Sequence, residues 1–244
     1  MDPQQSQSRQ HLKPHPHHPQ QRASSSAASS GSAPSIPRPP LSVHPTVTIA
    51  DAVVFQGTHP ISIGAGTIIH PRARFYSFDG PIYIGDGSII SEKSVIGIAP
   101  TAPPPSSTHG REGIPIRISN AVVVGPQASV FPGAHIHSST VVESLAIIHK
   151  RASLGSHSKV CAACEVPPNA VVREWSVVWG SGTGFGQRRK RAKGKMSSAV
   201  AVAQGIQGLE GKVIEDARLI VLHKEREALS RMIGSSAGAG ARRR

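Results

Sequence analysis

Aromatic residues are scarce in this chain of 244 residues, in which Phe, Trp and Tyr make up 4% of the sequence. Large aromatic side chains dominate most globular cores, so their scarcity argues against a conventional core. The chain also lacks any apolar run long enough to span a bilayer. Its polar start, Met1–Gln10, has no apolar stretch typical of a secretory signal peptide, and we therefore expect an intracellular protein.

Cysteine is equally scarce, and the only two cysteines, Cys161 and Cys164, form one C-x-x-C pair. One pair cannot provide the four thiolates of a structural zinc site within this chain. A thioredoxin-like redox site would need a strand that leads into a helix, which this region does not predict. We therefore expect both cysteines to be packing residues.

Acidic residues are few throughout the chain, and basic residues outnumber them mainly at the two ends, which produces most of the formal charge of +13. Residues 1–42 carry a net charge of +3, residues 43–180 of +1 and residues 181–244 of +9. The central region is therefore nearly neutral. The basic run 188–195 resembles a nuclear localisation or nucleic-acid patch, but it has no interleaved aromatics, and we interpret it as a solvated tail.

A six-residue period runs through Ile118–Val171. Helices repeat every 3.6 residues and strands every 2, whereas a hexapeptide period is typical of a parallel β-helix with three hexads in each coil. The aliphatic row consists of Ile118, Val124, Val130, Ile136, Val142, Ile148, Leu154, Val160 and Val166. The row four places later consists of Val122, Ala128, Ala134, Thr140, Ala146, Ala152, Ser158, Cys164 and Ala170. Both rows are predicted to point inward, and the prism is predicted to end after Val171.

Earlier coils keep the same period with interruptions. Their aliphatic residues are Val43, Ile49, Phe55, Ile63, Ile69, Ile84, Ile90 and Ile96. Turn-forming residues at His59-Pro60 and Asp79-Gly80-Pro81 shift the period, which predicts two bulged corners. Between Ile96 and Ile118 the period is lost in a proline-rich segment, which predicts a loop at 99–115 that projects from one corner of the prism.

The remaining segments complete the predicted domain organisation. Residues 1–42 are rich in Pro, His, Gln and Ser and are expected to be a disordered tail, followed by the β-helix at 43–180. Residues 181–207 are predicted to be a flexible basic linker, 208–233 a helix and 234–244 a disordered tail. The helix carries an apolar stripe, Gly234 is placed to end it, and we expect it to dock on a flat face of the prism. The stripe consists of Val213, Ala217, Ile220 and Val221, with Ala228, Met232 and Ile233.

Histidines are the remaining candidates for chemistry. His70, His137 and His149 each follow an aliphatic row residue, face outward and stack on different columns, so they do not converge on one point. A catalytic zinc needs three protein ligands near one point. No nucleophile has an adjacent base, and no glycine-rich phosphate loop is present. The sequence therefore predicts no catalytic residue, no metal site and no cofactor.

Three stretches of sequence resemble the dynactin subunit 6 family: Ile63–Arg74, Gly80–Gly87 and Cys161–Val172. The resemblance covers about Leu41–Gly180, and the long tails, which have no counterpart, suggest a fungal-type member. It implies a left-handed β-helix related to γ-class carbonic anhydrases and hexapeptide acyltransferases. The places that hold three zinc-binding histidines in those enzymes correspond to Gly97, Pro126 and Phe131 in this chain, none of which can bind zinc.

The resemblance also implies a function. It suggests a non-catalytic structural subunit of the dynactin pointed-end complex, which supports dynein-driven microtubule transport and cargo attachment in the cytoplasm and cytoskeleton. The implied partners are dynactin subunit 5, the actin-related protein Arp11 and the large zinc-containing subunit, with dynein contacted indirectly. No membrane partner is expected, and a nucleic-acid partner is disfavoured. The residues expected to contact partners are Val166, Pro167, Pro168, Trp175, Val177, Trp179, Val213, Ala217, Ile220 and Val221.

An alternative function stays open at this stage. The chain could be a diverged hexapeptide-repeat enzyme, either similar to γ-class carbonic anhydrase or an acyltransferase, that acts as a homotrimer. In such an enzyme His135, His137 or His149 would meet residues of a neighbouring subunit. A trimeric mass with stoichiometric zinc would favour this alternative.

Overall fold

The computed structural model describes residues 37–100, 113–189 and 211–240. Side chains are described for 37–100, 113–188 and 216–233. The predicted tail up to residue 36, most of the predicted loop at 99–115 and positions 190–195 of the basic run lie outside these ranges.

Twenty short strands wind into a parallel solenoid with three flat sheets. The first sheet contains, in spatial order, β1 (Leu41–Val43), β4 (Ile61–Ile63), β7 (Ile82–Ile84), β10 (Ile116–Ile118), β13 (His135–Ile136), β16 (Ser153–Leu154) and β19 (Val171–Val172). The second contains β2 (Thr48–Ile49), β5 (Ile68–Ile69), β8 (Ile89–Ile90), β11 (Val123–Val124), β14 (Val141–Val142), β17 (Lys159–Val160), β20 (Ser176–Trp179) and the antiparallel β21 (Gly186–Arg189). The third contains β3 (Val54–Gly57), β6 (Arg74–Ser77), β9 (Val95–Gly97), β12 (Ser129–Val130), β15 (Ile147–Ile148) and β18 (Glu165–Val166).

The strand register confirms the predicted hexapeptide β-helix. Ile118 pairs with Ile136, and Ile136 pairs with Leu154, so residues eighteen apart stack on each other. The described strands form six coils and two strands of a seventh. The fold is a parallel β-helix of hexapeptide repeats with a C-terminal helix, as the period predicts, and it is left-handed, as the resemblance to the dynactin subunit 6 family implies.

The core is aliphatic, as the two rows predict. All nine residues of the predicted aliphatic row are no more than 2% exposed. The small row is buried too, apart from Ala170, which is half-buried at the last corner. Phe75 is the largest fully buried side chain, and its ring stacks on that of Phe55 at 5.0 Å between ring centroids. Aliphatic filling thus replaces an aromatic core.

The two predicted slips and the inserted loop leave the stacking intact. Val43 pairs with Ile63 and Ile63 with Ile84, so the first two coils are longer than eighteen residues at the predicted bulged corners. Ile84 pairs directly with Ile118, across the predicted loop. Strand pairing therefore resumes where the hexapeptide period resumes.

Each corner contains one residue with a left-handed backbone conformation, which the sequence analysis did not foresee. These residues are six apart in the regular region: Ala121, Gln127, Gly133, Ser139, Leu145, Arg151, His157, Ala163, Asn169 and Trp175. Asn and Gly favour this conformation, but most positions in the series carry other residues. No single residue type in the sequence therefore marks these left-handed corner positions.

The predicted boundaries of the solenoid need correction. β1 begins at Leu41 rather than Val43, and the second sheet continues beyond Val171 because Val178 on β20 pairs with Val160. The predicted linker instead begins with a short 3-10 helix at Gly182–Gly184 and β21. β20 would otherwise be an edge strand with unpaired backbone groups, which β21 satisfies as an antiparallel partner.

The C-terminal helix, α1 (Gly211–Gly240), contacts β2 and β5 of the second sheet, as the predicted docking on a flat face requires. Its Ser230 hydroxyl lies 2.9 Å from the Thr48 hydroxyl. The predicted end at Ile233 is wrong, because the helix continues through Gly234. One glycine costs a helix only about 1 kcal/mol, so Gly234 alone does not end it. Within the described residues, α1 is the only long helix, and it is too polar to cross a membrane.

The predicted apolar stripe of α1 faces the wrong way. Leu222, which is outside the stripe, is 7% exposed, whereas Ile220 and Val221 are 62% and 66% exposed. Residues 222, 226, 229 and 233 share one helix face, and 217, 221, 224 and 228 share the opposite face. The first face docks because the second sheet presents an apolar outer surface, in which Ile68 and Ile89 are each 2% exposed.

Candidate functional site: the open end of the solenoid and the outer helix face

The N-terminal end of the solenoid is open. Val43 and Ile49 belong to the aliphatic row of the first coil, and Leu41 lies two residues before Val43 on β1. Leu41, Val43 and Ile49 are nevertheless 49%, 38% and 39% exposed. The residues paired with two of them one coil later, Ile61 and Ile63, are 0% and 2% exposed. We call the surface formed by Leu41, Val43 and Ile49 the N-terminal rim.

Backbone groups are also left unpaired at the N-terminal rim. β1, β2 and β3 each stand first in their sheet and have a neighbouring strand on one side only, within the described residues. In the next two coils, the amide at the position equivalent to Leu41 donates a hydrogen bond to the preceding coil. Ile61 N–H donates to Pro40 C=O at 2.9 Å, and Ile82 N–H donates to Pro60 C=O at 3.0 Å. Leu41 occupies the same position, and no described coil precedes it. The rim therefore combines exposed aliphatics with free strand edges.

The C-terminal end, where the sequence analysis placed most partner contacts, is closed by contrast. Val172 and Val178 are 2% and 0% exposed, and Phe185 packs against the core beside them. Val166 is a core residue at 0% exposure, so its prediction as a partner contact is wrong. Val177 is half-buried and pairs with Arg188 of β21. β21 covers the edge of the second sheet at this end, whereas β19 is the last strand of the first sheet in the described part of the chain.

The other predicted contacts at that end are partly accessible. Pro167 is half-buried and Pro168 exposed. Trp175 adopts a left-handed corner conformation and stacks on His157 at 4.3 Å between ring centroids. Trp179 is 45% exposed, and its indole lies beside Gly186. The structure therefore does not gather these residues into one open patch.

Predicted contacts on α1 form a second exposed surface. Ala217, Ile220 and Val221 lie on the helix face turned away from the solenoid, and all three are exposed. The side chain of Val213 lies outside the described residues. We call Ala217, Ile220, Val221 and the exposed Ala228 the outer helix face.

The histidines do not assemble a catalytic centre. His149 Nε2 lies 2.6 Å from Glu165 Oε1, and its ring stacks on Phe131 at 5.3 Å. The rings of His135 and His137 are 4.0 Å apart. Burial, followed by the neighbouring His137 and Arg117, lowers the pKa of His135. Among the described residues, no group of three or more His, Cys, Asp or Glu side chains is arranged to hold a metal ion.

Comparison with known proteins finds relatives over about half of the chain. No family model matches the sequence. The chain is 31% identical to dynactin subunit 6 of Xenopus tropicalis over 122 residues, which cover 50% of this chain and 59% of the relative. It is 30% identical to dynactin subunit 6 of Danio rerio over 123 residues, which cover 50% of this chain and 62% of the relative.

This chain is similar to dynactin subunit 6. The matches span about three fifths of the length of these curated relatives. The resemblance to the dynactin subunit 6 family that the sequence analysis proposed is thereby confirmed.

Solved structures with the same fold are hexapeptide-repeat proteins. A hexapeptide transferase family protein from Anaplasma phagocytophilum superposes with a TM-score of 0.55 at 17% identity, covering 80% of this chain and 96% of that protein. A protein described as an acetyltransferase from Bacillus cereus superposes with a TM-score of 0.56 at 15% identity, covering 79% of this chain and 92% of that protein. Identities this low show the shared fold alone.

The positions that the resemblance to dynactin subunit 6 assigns to lost zinc ligands carry no ligand atoms. Gly97 is buried at the end of β9, Pro126 is exposed, and Phe131 is half-buried against His149. Neither a hydrogen, a pyrrolidine ring nor a phenyl ring can bind zinc. These three positions therefore cannot supply ligands to a zinc ion.

The cysteine pair near the end of the region similar to dynactin subunit 6 has two different environments. Cys164 is 1% exposed, and burial, followed by Cys161 and Glu165, raises its pKa to about 11. Cys161 is partly exposed, and the structure records both cysteines as free thiols. A buried thiol with a raised pKa is a poor nucleophile.

We expect iodoacetamide to alkylate Cys161 on the order of 100-fold faster than Cys164 at pH 8, because the thiolate is the reactive species. Mass spectrometry of the native protein at successive times measures both rates. A Cys161→Ser variant should show almost no labelling until denaturant is added. Equal labelling of both cysteines in the native protein would contradict the burial of Cys164.

The sequence analysis missed the N-terminal rim. Val43 and Ile49 were assigned to the inward row, like their counterparts in every other coil. The available signal was the polar composition of residues 1–36, which contain only Leu12 and Ile36 as branched aliphatic residues. Such a segment has no hexad with which to build a coil below the first one.

Proposed function

We propose that this chain is a non-catalytic structural subunit of a dynactin-type complex and that its N-terminal rim is the principal contact with a neighbouring subunit. The observation that carries the proposal is the exposure of 38–49% at Leu41, Val43 and Ile49, whose counterparts in the next coil are buried. The curated relatives that match half of this chain are named dynactin subunit 6. A subunit needs a surface for its neighbours, and the rim is such a surface.

The N-terminal rim favours a partner that adds β-structure. Free strand edges are the usual site of strand addition, in which main-chain hydrogen bonds provide affinity and side-chain pockets provide specificity. Three edges surround an apolar centre here, so a partner with its own strand edges and apolar side chains would satisfy both. In the pointed-end complex that partner would be dynactin subunit 5, with Arp11 and the large zinc-containing subunit nearby.

The outer helix face provides a second contact of the same complex. Ile220 and Val221 are more than 60% exposed on a helix whose opposite face is already docked. A helix with two apolar faces can bridge the solenoid and a neighbouring subunit. The assembled subunit would then act in the cytoplasm and cytoskeleton, where dynactin supports dynein-driven transport and cargo attachment.

Affinity purification of the full-length tagged chain from its own cells, followed by mass spectrometry, tests the proposal. We expect the other dynactin subunits, including the remaining pointed-end subunits, to co-purify in stoichiometric amounts. A chain recovered only as a free monomer would overturn the proposal. A homotrimer with one zinc ion per subunit would instead support the hexapeptide enzyme, the fold of which the two solved structures share.

A further inference from the structure

A cavity of about 450 Å³ lies between α1 and the first two coils of the solenoid. It is lined by hydroxyl groups and by cationic side chains from the docked half of the helix. The lining residues are Thr46, Thr48, Gly66, Ile68, His223, Arg226, Glu227, Ser230 and Arg231. This volume lies within the range of about 300–1,000 Å³ that is typical of small-molecule sites. Neither the solenoid stacking nor the proposed subunit contacts account for it.

Arg226 reaches the cavity through a notch in the solenoid. Gly66 and Gly87 occupy equivalent corner positions in successive coils, with φ of +61° and +62°. A Cβ atom at Gly87 would overlap Arg226 Nη1, so the guanidinium lies against bare backbone. Later coils carry side chains at this corner, as at Ala121 and Ser139. The corner positions of these two coils therefore leave room for the Arg226 side chain, because both are glycine.

The guanidinium of Arg226 lacks an anionic partner among the described residues. Its Nε atom is buried and has no hydrogen-bond partner there, and Nη2 lies 3.0 Å from His223 Nδ1. The carboxylate of Glu227 is already engaged, by Lys224 at 3.1 Å and Arg231 at 2.6 Å. A partly buried guanidinium without a carboxylate is costly, and a bound anion would remove that cost.

Hydroxyl groups complete the anion site. The Thr48 and Ser230 hydroxyls form a hydrogen bond of 2.9 Å across the gap between strand and helix, and the hydroxyl that accepts in this pair keeps its own proton to donate to an anion. Guanidinium and hydroxyl donors together suit an oxyanion with several acceptor oxygens, of which phosphate is the most common in biology. We propose that this cavity binds the phosphate group of a small molecule between Arg226, Thr48 and Ser230.

Isothermal titration calorimetry of the full-length chain at low ionic strength tests this site, with inorganic phosphate as one probe and glycerol 3-phosphate as another. We expect saturable binding of one equivalent. Arg226→Gln should weaken it at least 10-fold, whereas Arg173→Gln, which removes an exposed arginine on the last coil, should not change it. Tighter binding of glycerol 3-phosphate would identify an organic phosphate, and equal binding would identify the free ion.

Arg226 also helps to seat the helix, so a second variant keeps the test decisive. Thr48→Val preserves a β-branched strand residue and removes one donor, and it should weaken phosphate binding several-fold while far-UV circular dichroism is unchanged. Absence of saturable binding to the wild-type chain would overturn the proposal. Binding that is equally strong in Arg226→Gln and Thr48→Val would also overturn it. Neither result bears on co-purification with dynactin subunits.

Discussion

Ile148→Ala is expected to lower the free energy of unfolding by about 3 kcal/mol, whereas Ile147→Ala lowers it by about 1 kcal/mol or less. The two residues are adjacent on β15 and have the same side chain. Ile148 is 0% exposed and fills the prism, but Ile147 points outward and is half-buried. Truncation of the first leaves a cavity in a closed interior. Truncation of the second leaves space that water can fill.

Urea denaturation of both variants, followed by circular dichroism, measures the difference. The pair is internally controlled, because the same substitution is made at two adjacent positions of one strand, which differ in the face they occupy. Equal losses for the two variants would mean that the hexapeptide row does not define the interior. A larger loss for Ile147→Ala would reverse the assignment of the two faces.

Replacement of Val43 and Ile49 together by lysine is expected to weaken co-purification with dynactin subunits at least 100-fold. Both residues lie on the N-terminal rim and are 38% and 39% exposed. Lysine side chains there would add two charges to an apolar contact, and each buried unpaired charge opposes binding strongly. The isolated chain should lose little stability, because lysine can extend from an open end into solvent.

Val171→Lys is the matched control at the closed end of the solenoid. Val171 is 68% exposed on β19, so the substitution adds one lysine charge to an exposed valine of an end strand, against two in the rim variant. Quantitative mass spectrometry of tagged variants measures the recovered subunits. Normal recovery with the rim variant and loss with Val171→Lys would move the contact to the other end and contradict the proposed function.

The hexapeptide period made the fold predictable because it imposes a geometry that helices and hairpins cannot share. Residues such as Ile118, Ile136 and Leu154 must stack once three hexads close a coil. Even the inserted loop could be placed, because the period resumes at Ile118. The local hydrophobic pattern and the global fold agree throughout this region, and for that reason the fold could be predicted from the sequence.

The surfaces were less predictable, because they depend on which elements cover them. β21 closes the second sheet through backbone pairing, and its sequence, Gly186–Arg189, has no apolar alternation that predicts a strand. The face of α1 that docks was misjudged because the helix carries apolar residues on both sides. Leu222 is buried and Val221 exposed, and only the position of the second sheet decides between them.

Hydrogen–deuterium exchange in the free and the assembled chain tests most directly whether the N-terminal rim is the subunit contact. The amides of β1 and β2 have no preceding coil within the described residues, so those of Leu41, Val43 and Ile49 should exchange rapidly in the free chain. Assembly with dynactin subunits should slow their exchange, while amides of β19 change little. Unchanged exchange at β1 and β2 in the assembled complex would contradict the account.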